Sequence, residues 1–342
     1  MYQLKQIATI LEKIYYKIAL KWIPAYTGMT HHNESSYSAT QPSSEKKQRL
    51  VLYLNYPKFI HFGDTLWFEP IARLLIANGY DVVIYANPAM EFYFKALGYT
   101  IIHDTDISSS NDILITRTEL AWHLRGKKVI WIDFNYTKIK MPLLNHVLHT
   151  LEQKLNLPLT VEEHAAIPQA VEFSHTEKAV LLQKLQLSET QKYVIFNNYM
   201  DSHKFGMPKA LLYDAIDQLS AFVVHKFKSS SATIADGIKI IHTGTQREKE
   251  ADHHRYQFID LDLRGALTIR EIFILATLDN VVAYIGFDTL WLHVFNLYSK
   301  TSYVRLKPGF SDDYNTQIKK YVAIPFTTAA NCPHVKIFSN LD

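Results

Sequence analysis

From Arg49 onward, short runs rich in β-branched and aromatic residues alternate with stretches of helical period, and this alternation restricts the chain more than any other feature. Strands separated by helical crossovers of about ten or more residues pair in parallel through right-handed βαβ units. The clearest instance is residues 281–297, VVAYIGFDTLWLHVFNL. Residues 281–285 read as a buried strand, Gly286-Phe287-Asp288-Thr289 as a turn, and Trp291, Leu292 and Phe295 mark the helix that follows. In a parallel sheet such a turn lies at the carboxyl edge, where ligands bind. The helix's N–H groups and positive dipole end there favour an anion.

The same reading assigns the rest. Strands are expected at 50–56, 81–86, 100–103, 113–116 and 128–133, with helices at 65–78, closed by Gly79, and 88–97, closed by Gly98. A long helical and polar region, 141–191, is broken by Pro158 and Pro168 and carries the connection. The alternation then resumes with strands at 193–197, 238–242, 258–261 and 302–306 and helices at 209–227 and 269–278, with a Ser-rich loop around 229–231. With 342 residues, 48% of them hydrophobic, the chain can fill two cores. The expectation is α/β: two doubly wound, Rossmann-like domains, 49–180 and 181–342, facing an interdomain cleft that serves as the ligand site.

Composition excludes several classes. A net charge of +3 and a pI of about 8.6 fall short of the concentrated basic stripe that nucleic acid demands. A single cysteine, Cys332, rules out an internal disulfide and any Cys-based zinc cluster. Residues 1–48 read as an extension. Leu4, Ile7, Leu11, Ile14 and Ile18 form a helical apolar stripe interrupted by Lys5, Lys13, Lys17 and Lys21. No apolar run there reaches the roughly 18 residues of a spanning helix, and no signal-peptide core is evident, so a cytoplasmic location is expected. A cationic amphipathic helix can lie on an anionic membrane surface or pack on its own domain, and both stay open. Residues 25–47, rich in Ser, Thr, Asn, His and Gln, read as a disordered linker. Residues 22–30, WIPAYTGMT, also resemble the translation of a dispersed bacterial repeat, which would make the extension an accretion outside the fold.

Four places can carry chemistry. Asp64, in Gly63-Asp64 after the first strand, can take a proton from a hydroxyl nucleophile; its commoner role would be N-cap of a helix starting at Thr65, with Gly63 supplying a tight turn. Lys204, in the loop NNYMDSHK after the strand 193–197, can neutralise a phosphate or be a surface lysine. Glu248, in GTQRE after the strand 238–242, can meet a ribose hydroxyl or belong to a solvated charge run. Asp288 as N-cap, Thr289 as a first-turn hydroxyl and His293 one turn on surround a helix start, though a capped helix with a core histidine would look the same. Two carboxylate pairs, Asp104 with Asp106 and Asp260 with Asp262, have the spacing to chelate a divalent cation, the second pair on one face of a strand, but such tripeptides are common by chance.

Taken together, these residues resemble glycosyltransferase family 9, the ADP-heptose:lipopolysaccharide heptosyltransferases and relatives, over roughly residues 50–325. The family's N-terminal motif, Gly-Asp with a proline six residues on, matches Gly63-Asp64 and Pro70. Its C-terminal signature, an Asp-Thr/Ser-Gly turn with a histidine five residues after the Asp, matches Asp288, Thr289 and His293, and the lead-in segment DLRGALTIRE, 262–271, matches as well. The resemblance implies a GT-B fold, no cofactor beyond a nucleotide-sugar donor and no metal. It also implies a lipid-linked glycan acceptor and a cytoplasmic location that is peripheral to the inner face of the inner membrane. Asp64 would be the general base, Lys204 a pyrophosphate ligand and Glu248 the ribose contact, with Asp288, Thr289 and His293 around the diphosphate or sugar. Leu290 stands where the family has glycine, a residue that lets backbone approach a phosphate. That departure leaves room for a nucleotide-sugar-binding protein without transfer; a GT-B sugar epimerase is a further alternative.

Overall fold

In a computed structural model, the described residues are 48–55, 62–107, 112–116, 124, 126–132, 143–156, 168–198, 209–228, 237–251, 256–287, 289–305 and 334–338. The N-terminal extension, the Lys204 loop, Asp288 and Cys332 lie outside them. The chain divides into two compact units, Met1–Lys46 and Lys47–Asp342, and all described structure belongs to the second.

The first sheet holds β1 (Arg49–Leu54), β2 (Asp81–Ala86), β3 (Ile113–Thr116) and β4 (Lys128–Trp131) in the order β2-β1-β3-β4, every pairing parallel. The second holds β5 (Lys192–Asn197), β6 (Ile238–His242), β7 (Leu261–Asp262), β8 (Val281–Gly286), β9 (Thr301–Arg305) and β10 (Val335–Phe338). Its order is β10-β9-β8-β5-β6-β7, again parallel throughout. Read from β7, this is the doubly wound order 3-2-1-4-5-6, whose topological switch point lies between β5 and β8. β1 shows why such strands read as continuous apolar runs. Leu50, Leu52 and Leu54 enter the main core, Val51 and Tyr53 enter a second cluster on the opposite face, and both faces are covered.

The helices are α1 (Phe62–Leu66), α2 (Phe68–Ala77), α3 (Glu91–Ala96), α4 (Leu143–Leu155), α5 (His175–Leu185), α6 (Lys209–Val223), α7 (Gln246–Ala251), α8 (Ile269–Thr277) and α9 (Leu290–Leu297). Reciprocal capping boxes start α5, with Ser174 and Glu177, and α8, with Thr268 and Glu271. Gly79 and Gly98 stand at positive φ, as their place after α2 and α3 requires. No helix among the described residues is long and apolar enough to cross a membrane.

Four expectations are corrected. The helix at 65–78 is two helices that meet at Trp67 and begins at Phe62. The strand at 100–103 shrinks to one bridge, Ile84 with Ile101, because the chain turns at once into a 3-10 helix at Asp104–Asp106, where the Asp106 carboxylate accepts from the His103 N–H at 2.8 Å. The strand at 258–261 begins only at Leu261: a turn closes from the Ile259 N–H to the Tyr256 carbonyl, and Phe258 packs edge-on to Phe196, 5.3 Å between centroids. The helix expected at 209–227 leaves α-geometry at Val224 and finishes as a π-helical stretch, Val224–Lys228. β10 had no counterpart in the sequence reading. Its pairing with β9 comes from residues far along the chain, which local periodicity does not reveal.

The two halves share one core. Phe92 of α3 stands edge-on to Phe273 of α8 at 5.2 Å, and Arg270 lies 6.0 Å over the Phe92 ring. The linking segment is tied to both sides: the Tyr298 hydroxyl donates to the Val171 carbonyl at 2.8 Å, and the Tyr93 hydroxyl to the Gln169 carbonyl at 2.9 Å. Beneath them sits Glu69 of α2, wholly buried, which accepts from Arg73 at 3.1 Å, the Tyr99 hydroxyl at 2.8 Å and the Gln169 N–H at 3.0 Å. Burial and this carboxylate push the phenols of Tyr99 and Tyr93 well above their usual range, so both remain donors. Breaking a buried, paired charge on one side is among the costliest polar changes. Arg73→Gln, which strands the fully buried Glu69 carboxylate, is therefore expected to lower unfolding free energy by about 3 kcal/mol in urea titrations, more than Glu69→Gln, which leaves only the partly exposed Arg73 to turn to water.

Candidate functional site

The switch point is built from β5, β8 and the start of α9. Asn197 ends β5 and pairs with Gly286 at the end of β8. A side chain at Gly286 would overlap both the Asn197 carbonyl and the Tyr284 hydroxyl, so glycine is required by close approach. Tyr284, fully buried in β8, turns its hydroxyl back onto the loop, donating to the Phe287 carbonyl at 2.7 Å and lying 3.0 Å from the Thr289 Oγ1. The turn is thus fastened from inside the core. Thr289, not Asp288, occupies the N-cap of α9, and its side chain makes no capping bond. The extended backbone at Thr289 delays the helix to Leu290, one residue later than expected, while the hydroxyl faces Tyr284. The Leu292 N–H at the start of α9 donates to the Thr289 carbonyl at 3.1 Å, and no side-chain cap from Thr289 takes up the amides before it. Leu290 is half-buried and packs against the main core.

The Asn197 amide donates to the Thr243 carbonyl at 2.9 Å, and its Oδ1 is buried without a hydrogen-bond partner among the described residues. Next to it, His242, Asn198 and Tyr256 form a buried chain of contacts, with His242 Nε2 2.9 Å from Asn198 Oδ1 and the Asn198 amide donating to the Tyr256 hydroxyl at 2.8 Å. Polar residues at the ends of β5 and β6 were the signal for this arrangement. Their mutual pairing could not be read from a linear sequence.

His293 connects this turn to the first half. It is buried in α9, with its ring edge-on to Trp67 at 6.1 Å between centroids. Its imidazole rests directly on Gly63, so closely that a Cβ on Gly63 would overlap the ring carbons. Gly63 lies within α1 and not in a tight turn; the glycine is there to admit the histidine. Asp64 is the third residue of α1 and so is not the N-cap of a helix starting at Thr65. The Gly63-Asp64 segment and the helix bearing His293 therefore meet. Lys204 and Asp288 lie outside the described residues.

Glu248 sits on α7, behind the carboxyl end of β6, as a βα turn requires. One of its oxygens accepts from the Thr245 N–H at 2.7 Å while its own N–H donates to the Thr245 hydroxyl at 3.2 Å, a capping box that commits part of the carboxylate to its own helix. The carboxylate pair at 260 and 262 is occupied by protein groups. Asp260 precedes β7 and accepts from the Ile240 N–H at 2.7 Å and from Lys228 at 2.8 Å. Asp262 accepts from buried Arg264 through two side-chain bonds of 3.0 and 2.9 Å. At the other pair, Asp106 is engaged by the His103 N–H. Among the described residues no cluster of metal-ligating side chains occurs.

No family model matches the sequence, and no curated protein does. Solved structures do match. A family 9 glycosyl transferase from Veillonella parvula superposes with a TM-score of 0.55 over 86% of this chain and 86% of that one, at 10% identity. The ADP-heptose lipopolysaccharide heptosyltransferase II of E. coli gives 0.52 over 85% and 90%, at 13% identity. The fold is that of glycosyltransferase family 9 structures. Two parallel sheets, each presenting its carboxyl edge, make it GT-B, in agreement with the expected architecture.

Two outcomes test the geometry. Gly63→Ala must displace a buried imidazole and is expected to cost about 1–3 kcal/mol, with His293→Ala in the same chain recovering part of the loss in thermal melts. For Asp262, burial opposes the charge, but the bonds from Arg264 outweigh it and hold the carboxyl below its usual range. A depressed folded pKa means stability that is complete above the unfolded value and lost as pH falls through the folded one. The urea midpoint should thus fall between about pH 5 and pH 3 more steeply for the wild type than for Asp262→Asn.

Proposed function

We propose that the protein is a metal-independent, inverting glycosyltransferase that moves a sugar, heptose from ADP-heptose in the leading case, from a nucleotide-sugar donor to a lipopolysaccharide core or related lipid-linked glycan. The observation that carries this reading is the seating of His293 on Gly63, which draws the segment of the proposed base to the donor-side turn. An acceptor hydroxyl is a poor nucleophile near neutral pH, so Asp64 would remove its proton as the anomeric carbon is attacked. The nucleoside diphosphate would depart on the opposite side, its charge met by Lys204 and by the amides at the start of α9, with Asp288, Thr289 and His293 around the diphosphate or sugar. Glu248 would hold the ribose through whatever capacity its capping role leaves. A single displacement of this kind inverts the anomeric centre. That Thr289, at the N-cap of α9, makes no capping bond supports the donor assignment, and the family 9 fold supports the class. A lipid-linked acceptor brings the enzyme to a membrane, and the cationic stripe of residues 1–23 is the segment we assign to an anionic surface at the inner face of the inner membrane.

Transfer from ADP-heptose and other nucleotide sugars provides the test. Asp64→Asn should reduce turnover by about 10²–10⁴-fold while donor binding persists. Undiminished turnover in that variant would remove Asp64 as the base. Wild-type binding without turnover across donors and acceptors would leave a binding protein.

A further inference from the structure

Arg305 closes β9, the strand beside β8 on the side away from β5. Val304 pairs with Gly286, so Arg305 lies one residue beyond that pair, at the carboxyl edge and level with Phe287 of the donor-side turn. Side chains alternate along a strand, which puts Arg305 on the same face as Tyr303, the α6 face, where Tyr303 meets Phe222 at 5.3 Å. Neighbouring parallel strands are about 4.8 Å apart, so the backbone of Arg305 is one strand spacing from the turn.

The guanidinium is short of partners. Its Nε is buried and makes no hydrogen bond among the described residues. Four other partly or fully buried or surface-anchored arginines each hold a carboxylate directly: Arg49 with Asp112, Arg73 with Glu69, Arg264 with Asp262, and Arg270 with Glu177. For Arg305 burial dominates, and the attraction of Asp214 on α6 does not offset it, so its pKa is lowered where those of Arg49 and Arg73 are raised. A guanidinium stays charged in a protein, and taking it from water without a counter-charge is costly. Its planar fork matches the paired oxygens of a phosphate.

We propose that Arg305 is a further anion ligand of the donor side, supplying from β9 a positive charge to the phosphates of a nucleoside diphosphate bound between the end of β8 and the start of α9. This rests on the donor-site reading above and adds a third strand to it. The amides of α9 would meet the diphosphate from one side and the fork of Arg305 from the α6 face.

Calorimetric titration of the full chain with ADP, inorganic pyrophosphate and adenosine decides it, using wild type, Arg305→Gln, Arg305→Lys and Lys336→Gln. The last removes a cation that lies 5.5 Å over the Tyr303 ring and serves as the control for general charge. Loss of a charge-assisted phosphate contact should weaken ADP and pyrophosphate about 10- to 100-fold in Arg305→Gln and leave adenosine unchanged. Arg305→Lys, which keeps the charge without the fork, should fall between, and Lys336→Gln should stay within about twofold of wild type. Wild-type affinity for ADP and pyrophosphate in both Arg305 variants overturns the role of Arg305 while leaving the donor site standing. A wild type that binds neither probe, nor UDP nor GDP, overturns both. An equal loss in Lys336→Gln also overturns the proposal, because it reports net charge and not a site.

Discussion

The contact between His293 and Gly63 is the constraint on which the rest depends. His293 of α9 can sit this close to α1 only because Gly63, directly before Asp64, carries no Cβ. Around the contact the chain has spent its largest side chains. Trp67 is edge-on to His293, Phe92 to Phe273, and the clusters of both halves join into one core. Interiors at this density transmit displacement, so a shift of α9 is felt at α1. The polar ties at Gln169 and Val171 act on the same junction, fastening the linking segment to Tyr93 and Glu69 on one side and Tyr298 on the other.

Much of the architecture was legible because its signals are local. Continuous apolar runs bounded by Gly and polar turns marked the strands at 81–86, 113–116 and 238–242, whereas the capping boxes that start α5 and α8 went unread and α5 stayed merged in the helical and polar stretch 141–191. The errors occur where tertiary contacts override local preference. Trp67 interrupts a helix that its period would continue, Phe258 leaves a strand to pack on Phe196, and β10 pairs with a strand whose partner is not nearby in sequence. Asp64 illustrates the limit for the site. Asp before a helix reads as a cap, and nothing in the sequence states that α1 starts two residues earlier, at Phe62.

The roles of Gly63 and Tyr284 were less visible still. Glycine before aspartate signals a turn by its conformational freedom, yet Gly63 lies in a helix and serves by its lack of a side chain. Tyr284 reads as one more apolar strand residue, but its hydroxyl binds Phe287 and Thr289 on either side of the turn after β8. Arg305 is equally silent in sequence, because a single arginine at a strand end has no motif. Its character emerges only by contrast with Arg49, Arg73 and Arg264, each of which holds a carboxylate while the Arg305 Nε has no partner among the described residues.

The start of α9 brings these strands of argument together. A helix N-terminus leaves its first amides without internal acceptors, and natural sequences usually close it with the N-cap side chain. Here Thr289 is the right residue type in the right place and does not do so, because Tyr284 engages its hydroxyl from the core. α5 and α8, by contrast, are closed by full capping boxes. The forgone cap is worth about 1 kcal/mol. An anion that accepts from the amides ahead of Leu292 would recover it on binding, at a helix start where Tyr284 already holds Phe287 and Thr289.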